Sequence, residues 1–218
     1  MAFNCGVSFG ACLVRITRVD ENGNVIAGSN AYVSDKLISV QVSPNIETGD
    51  SFSVRNGCGC SIARRAFPDT FNWWELTVNT AALEPQMIAF MLGAETIEDG
   101  ADVVGVAWPS ALACDEQSPL VAFEFWTEHT VGSGLDATYP YFHHVYPAVS
   151  WVMGDNTFEA GPAAPTLNGK SKTNGNWGDG PYGDGPPDGQ DISEGGFWAT
   201  GDALPEAACA ATSVTSTS

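Results

Sequence analysis

Basic residues are scarce in this 218-residue chain: Lys and Arg number 8 against 26 Asp and Glu, for a formal charge of −18. That balance argues against a protein that holds nucleic acid by neutralising phosphates. Long apolar runs are lacking as well. The longest, Met87–Leu92, has six residues, against the roughly 20 a membrane helix needs. The N-terminal Met1-Ala2-Phe3-Asn4-Cys5 shows neither a basic n-region nor an apolar h-region, so the reading is a chain without a signal peptide, made in a cytosol. In that compartment its six cysteines (Cys5, Cys12, Cys58, Cys60, Cys114 and Cys209) are expected as thiols.

Catalytic and metal signatures are missing too. Cys58-Gly59-Cys60 has no second Cys or His pair to complete a zinc set, and reads as buried or edge-strand thiols. His143 and His144 are adjacent on a strand, so they point to opposite faces and cannot share a metal or a substrate. No Gly-x-Ser-x-Gly elbow accompanies the three histidines. Gly169-Lys170 and Gly178-Asp179-Gly180 lack the spacing of a phosphate loop. No catalytic residue, metal or cofactor is expected.

What is present is material for a β-rich core. Hydrophobic residues make up 44%, with 7 Trp, 11 Phe and 5 Tyr, while 24 Gly and 13 Pro favour turns over a helical bundle. Cys12–Val19 alternates, with Leu13, Arg15, Thr17 and Val19 on one face and Val14, Ile16 and Arg18 on the other. The Asn22-Gly23 step after it signals a hairpin. Further strands are expected at 30–33, 37–42, 51–56, 61–67, 73–79, 102–108, 120–129, 141–146 and 149–153, with Pro44 closing one of them. One short helix is expected over about residues 84–92, opened by Leu83-Glu84-Pro85 and ended by Gly93. The fold class is mainly β, a sandwich or partial barrel with one short helix and extended irregular arms.

A single domain over residues 1–204 accounts for the length, followed by an Ala-, Thr- and Ser-rich tail at 205–218. Within it, 13 of residues 161–190 are Gly or Pro. That segment and the N-terminal arm are expected to order only against a partner. Charge is uneven: residues 66–169 contain fourteen acidic residues and no Lys or Arg, whereas residues 1–65 hold six of the eight basic ones. A long stretch of one sign builds a field on the folded surface.

Along Leu120–His129, Val121, Phe123, Phe125 and Thr127 form a core face, while Leu120, Ala122, Glu124, Trp126 and Glu128 share the other. Glu124 and Glu128 lie about 13 Å apart at the usual strand rise, too far for a glycosidase carboxylate pair. One non-enzymatic reading is a carbohydrate-binding module, suggested by the seven tryptophans. Trp73, Trp74 and Trp126 lie in strands, where core packing is the commoner use.

The order of motifs resembles the major tail proteins of long non-contractile-tailed phages that infect actinobacteria. The resemblance rests on Cys5-Gly6 and the strand that follows, Asp20-Glu21-Asn22-Gly23-Asn24-Val25, the helix from Leu83-Glu84-Pro85 to Gly93, and Asn176-Trp177-Gly178-Asp179-Gly180-Pro181 after Lys170–Lys172. It spans most of residues 5–200, and the alternative it leaves open is a head-decoration or other β-sandwich protein of a virion. It implies subunits that form hexameric rings stacked into a tube within the virion tail, an inner β-barrel built by all six copies and a helix outside it. It also implies tape-measure, terminator and tail-tip proteins as partners, no membrane, and genomic DNA passing through the lumen without specific binding. In such a tube, carboxylates on the wall would repel phosphate and leave DNA nothing to adhere to. Glu124 and Glu128 are the first candidates for that wall, and Glu47 and Asp50, at a strand turn, the next.

Overall fold

A computed structural model describes residues 7–26, 30–81, 84–100, 102–108, 119–155, 165–207 and 212–213. Cys5-Gly6, Leu83, Cys114, Cys209, residues 161–164 and most of the C-terminal tail lie outside the described residues. In chain order the elements are β1 (Val7–Val19), β2 (Asn30–Ser34), β3 (Leu37–Glu47), β4 (Ser51–Arg55), β5 (Ser61–Ala66), β6 (Thr70–Thr80), α1 (Pro85–Leu92), β7 (Glu95–Asp99) and β8 (Asp102–Ala107). They continue with β9 (Leu120–Val131), β10 (Gly134–Leu135), β11 (Tyr141–Met153), β12 (Thr166–Ser171), a 3-10 turn at Pro187–Gly189, β13 (Gly196–Thr200) and β14 (Thr212–Ser213). The fold is mainly β with one short helix, as the composition indicates.

One antiparallel sheet dominates, running β14-β2-β1-β9-β11-β12-β6-β3, with β10 added on β9 and β13 on β11. The sheet curls until β3 comes back beside β1 without hydrogen-bonding to it, which leaves a partly closed barrel. At β11 it also divides. The first half, Tyr141–Val145, pairs with β13, and the second, Val149–Met153, pairs with β12. The register shifts between Tyr146 and Val149, around Pro147, so the two halves are turned relative to each other. What reads in the sequence as two strands is therefore one strand bent at a proline.

The concave face holds the main core: Val14 and Ile16 from β1, Leu76 and Val78 from β6, Val121, Phe123 and Phe125 from β9, and Val149 and Trp151 from β11. The core assignment of Val121, Phe123 and Phe125 from alternation is thus correct. α1 buries Met87 through Met91, and Met87, Phe90 and Met91 join this core. Burying a Met, Ile or Phe side chain contributes about 1.5–3 kcal/mol, which is ample to hold a two-turn helix too short to be stable alone. Gly93 ends it at φ 68°, the left-handed cap that glycine adopts without a Cβ clash. Glu84 occupies the N-cap, but its carboxylate accepts a 2.8 Å bond from the Ser34 hydroxyl rather than capping the helix.

Three expectations change in detail. β3 runs through Pro44 because it is the last strand of the sheet, where one side needs no amide donor. Asn22-Gly23 does form a turn, with Asp20 accepting from the amides of Asn22 and Asn24, but the strands around it close with only the single bridge Val19–Val25. The 161–190 segment is not a free arm where it is described. Thr166–Ser171 pairs on both sides, with β11 and β6, and the turns after it dock on the chain's own sheet.

Candidate assembly surfaces

The convex face of β1, β9 and β11 is not solvated. Residues 172–195 have little regular structure, yet they cover it: Trp177 and Ile192 pack on Val19, Ala122, Val145 and Ala148. Asparagines fasten the cover, since their amides can bond backbone that has no ladder partner. Asn174 Nδ2 donates to the carbonyls of Gly23 (2.8 Å) and Pro147 (3.2 Å), and Asn176 Nδ2 donates to that of Asn22 (2.6 Å). Gly23 is fixed by the same contact: at φ 82°, a Cβ there would lie 2.1 Å from Asn174 Oδ1.

Beneath this cover is a buried charge cluster. Arg15 on β1 and Glu124 on β9 are register partners and form an ion pair, and Arg15 Nη2 also reaches Asp184 Oδ2 at 2.7 Å. The Tyr182 ring lies 3.6 Å from the guanidinium carbon, and its hydroxyl is 3.1 Å from that of Thr17. Burial opposes the charge on Arg15, but Glu124 and Asp184 outweigh it and hold the guanidinium protonated. Burial pushes the Glu124 carboxyl up, against the pull of Arg15. His143 stacks on Trp126 at 4.3 Å, edge-on to Trp198, and burial with the neighbouring Arg15 charge lowers it to about 3. The imidazole is therefore neutral, and Arg15 is already saturated by two carboxylates. This cluster fastens the cover to the sheet.

The structure consequently removes Glu124 from the candidate wall residues. It is 1% exposed, and a carboxylate enclosed by its own chain cannot face a lumen. The sequence signal was available: Glu124 sits between Ala122 and Trp126 on its face, and Arg15 sits between Leu13 and Thr17, the pattern of a strand buried on both sides. What alternation cannot supply is the register that sets Arg15 opposite Glu124. Glu128, Glu47 and Asp50 are exposed, so they remain surface carboxylates. Glu47 and Asp50 flank the turn after β3, the last strand of the sheet, whereas Glu128 is on β9 in the middle of the sheet, between Phe9 of β1 and Tyr141 of β11.

The two adjacent histidines do separate. His144 faces away from His143, stacks on Phe125 at 4.4 Å, and is lowered to about 4 by burial. It lines a cleft of about 540 Å³ with Trp74, Tyr146 and Phe197. Trp74 there is edge-on to Tyr146 and tilted against Phe71. Trp126 is buried under Arg15. Neither ring offers a flat platform to a sugar. Among the described residues, no group of three or more His, Cys, Asp or Glu could hold a metal ion.

Two hairpins stand apart from the main sheet. β4–β5 forms a sheet of its own in which every strand residue is exposed, including Phe52 (63%) and Ile62 (67%). Its tip is the Cys58-Gly59-Cys60 turn, where Asn56 Oδ1 accepts from the amides of both cysteines. Of the buried or edge-strand placements expected from the sequence, the buried one does not hold: the two thiols are exposed at the hairpin tip, because the hairpin has no covering layer. β7–β8 also forms its own sheet, set against α1, with β7 exposed along its length. No protein-family model matches the sequence, and no curated protein does either.

Proposed function

We propose that this chain is a structural virion subunit that polymerises as stacked hexameric rings into a phage tail tube, giving DNA an acidic-walled conduit during ejection. The observation that carries the assembly part is β4–β5. A two-stranded sheet with no cover on either face is at best marginally stable in water, so a fold that keeps one has a partner for it. β3 adds an 11-residue edge with exposed Ile38 and Ile46, a template for pairing with another chain. The mainly-β architecture, the one helix and the net charge of −18 fit the tail-tube resemblance. Of the candidate wall carboxylates, Glu47, Asp50 and Glu128 are exposed, and a duplex passing them would find no counterion-releasing contacts.

Sedimentation over a wide concentration range, followed by negative-stain imaging, tests this reading. Rings or tubes are expected. Trimeric knobs would favour a head-decoration protein, and a 22.9 kDa monomer throughout, with tail-initiating components present, would end the assembly reading.

A further inference from the structure

We infer that the two projecting hairpins are the two halves of one interface: β4–β5 of one copy docks on β7–β8 of the next. This rests on the assembly part of the reading above and not on its assignment to a tail.

The two hairpins are opposite in charge. Residues 51–67 carry Arg55, Arg64 and Arg65 and no acidic residue, a net of +3 in a chain of −18. Residues 95–107 carry Glu95, Glu98, Asp99 and Asp102 and no basic residue, a net of −4. Among the described residues, no salt bridge engages any of these seven side chains. Each hairpin also exposes apolar side chains of the kind that form the centre of an interface: Phe52 and Ile62 on one, Ile97 and Val104 on the other. Phe52 stands opposite Arg65 in register, so an apolar contact and a cation share one face of β4–β5.

A second copy of this chain is the occupant that the charges specify. The arginine hairpin needs an anionic partner with apolar contacts inside it, and β7–β8 has that composition. Because the two patches differ, they join copies head to tail and not about a two-fold axis. Such a contact either closes into a ring or continues as a filament. Opposed charge also sets the register and disfavours β4–β5 meeting itself.

The test uses two charge-reversed full-length chains, Arg64→Glu with Arg65→Glu and Glu95→Lys with Glu98→Lys. The substituted side chains are exposed in the monomer, and each variant is first checked for the parental Tm and circular dichroism. Each variant alone now sets side chains of one sign at positions 64, 65, 95 and 98 across the interface. Its self-association midpoint, read by sedimentation, is expected to rise at least tenfold. Mixed in equal amounts, the two are expected to co-assemble alternately, because every junction between them again pairs opposite charges. The neutral variants Arg64→Gln with Arg65→Gln and Glu95→Gln with Glu98→Gln are expected to weaken association less. The parental assembly should loosen between 50 mM and 500 mM salt.

If the parental chain assembles and the reversed variants assemble with the same midpoint, the hairpin pairing is wrong while the assembly reading stands. Failure of the mixture to co-assemble, with both chains folded, also overturns the pairing. If Arg64→Glu with Arg65→Glu leaves self-association unchanged but abolishes binding of a labelled DNA duplex, the arginine hairpin serves nucleic acid instead. A parental chain that never associates ends both readings.

Discussion

Residues 172–195 and the β4–β5 hairpin reverse what their sequences suggest. The first is rich in Gly, Pro and Asn and has almost no regular structure, yet it is fastened to the sheet by Trp177, Ile192, two asparagines and the Asp184–Arg15 pair. The second has regular strand alternation and a well-made turn, yet no side chain in its strands is buried. Regular backbone and secure packing are separate properties. A ladder satisfies amides and carbonyls locally, whereas burial requires a second layer.

Substitutions should separate the two regions sharply. Arg15→Met should cost about 3–5 kcal/mol, since it leaves the enclosed Glu124 with no cation, so that the carboxyl must take up a proton to stay buried. Urea unfolding of the dilute monomer measures this, and a loss under 1 kcal/mol would show that the cluster is solvated in solution. Trp177→Ala should cost nearly as much, about 3–5 kcal/mol for a large buried ring. It should also render the cover cleavable by protease before the sheet unfolds.

Acid should loosen the sheet next, through one histidine on each of its faces. His143 and His144 are held near 3 and near 4, against about 6.5 in an unfolded chain. As pH falls from 6.5 towards 4, the unfolded chain therefore takes up protons that the folded one refuses. The stability these residues contribute is complete above 6.5 and is lost through that window, on the order of a few kcal/mol. Glu124 works the other way, because its raised folded pKa favours the folded state in acid. His143→Phe keeps a ring on Trp126 and removes one titration, so its melting temperature should fall less steeply with pH than the parent's.

Gly23→Ala should cost about 1–3 kcal/mol, because the residue has positive φ and Asn174 occupies the space a methyl would need. A neutral result would mean that the Asn174 contact is loose. Smallest of all, Phe52→Ser should change monomer stability by no more than about 0.5 kcal/mol. A larger loss would place β4–β5 under cover even in the monomer. At the same hairpin, Cys58 and Cys60 should alkylate ahead of Cys12, whose thiol is half-buried and pushed up by burial. Peptide mapping by mass spectrometry would read the order.

Much of this molecule is legible in its sequence. Alternation assigns Val121, Phe123 and Phe125 to the core, and Pro85 and Gly93 bracket the helix because they act on backbone within a turn. The strand bend at Pro147 and the continuation of β3 through Pro44 are less legible, since a proline's effect depends on whether a neighbour needs its missing donor. β12 and β13 escape notice because Thr166–Ser171 and Gly196–Thr200 are short and contain glycine, and only their partner strands make them strands.

Composition by itself determined a mainly β chain with a strong negative charge, one helix and an apolar face on the central strand, since each follows from local periodicity or from counting. Tertiary structure decided which polar residues were enclosed. Glu124 and Glu128 are four residues apart on one strand face, yet Arg15 and Asp184, 109 and 60 residues away from Glu124 in the chain, enclose one and leave the other in water. Burial depends on what the rest of the chain lays over a face, and no local pattern carries that.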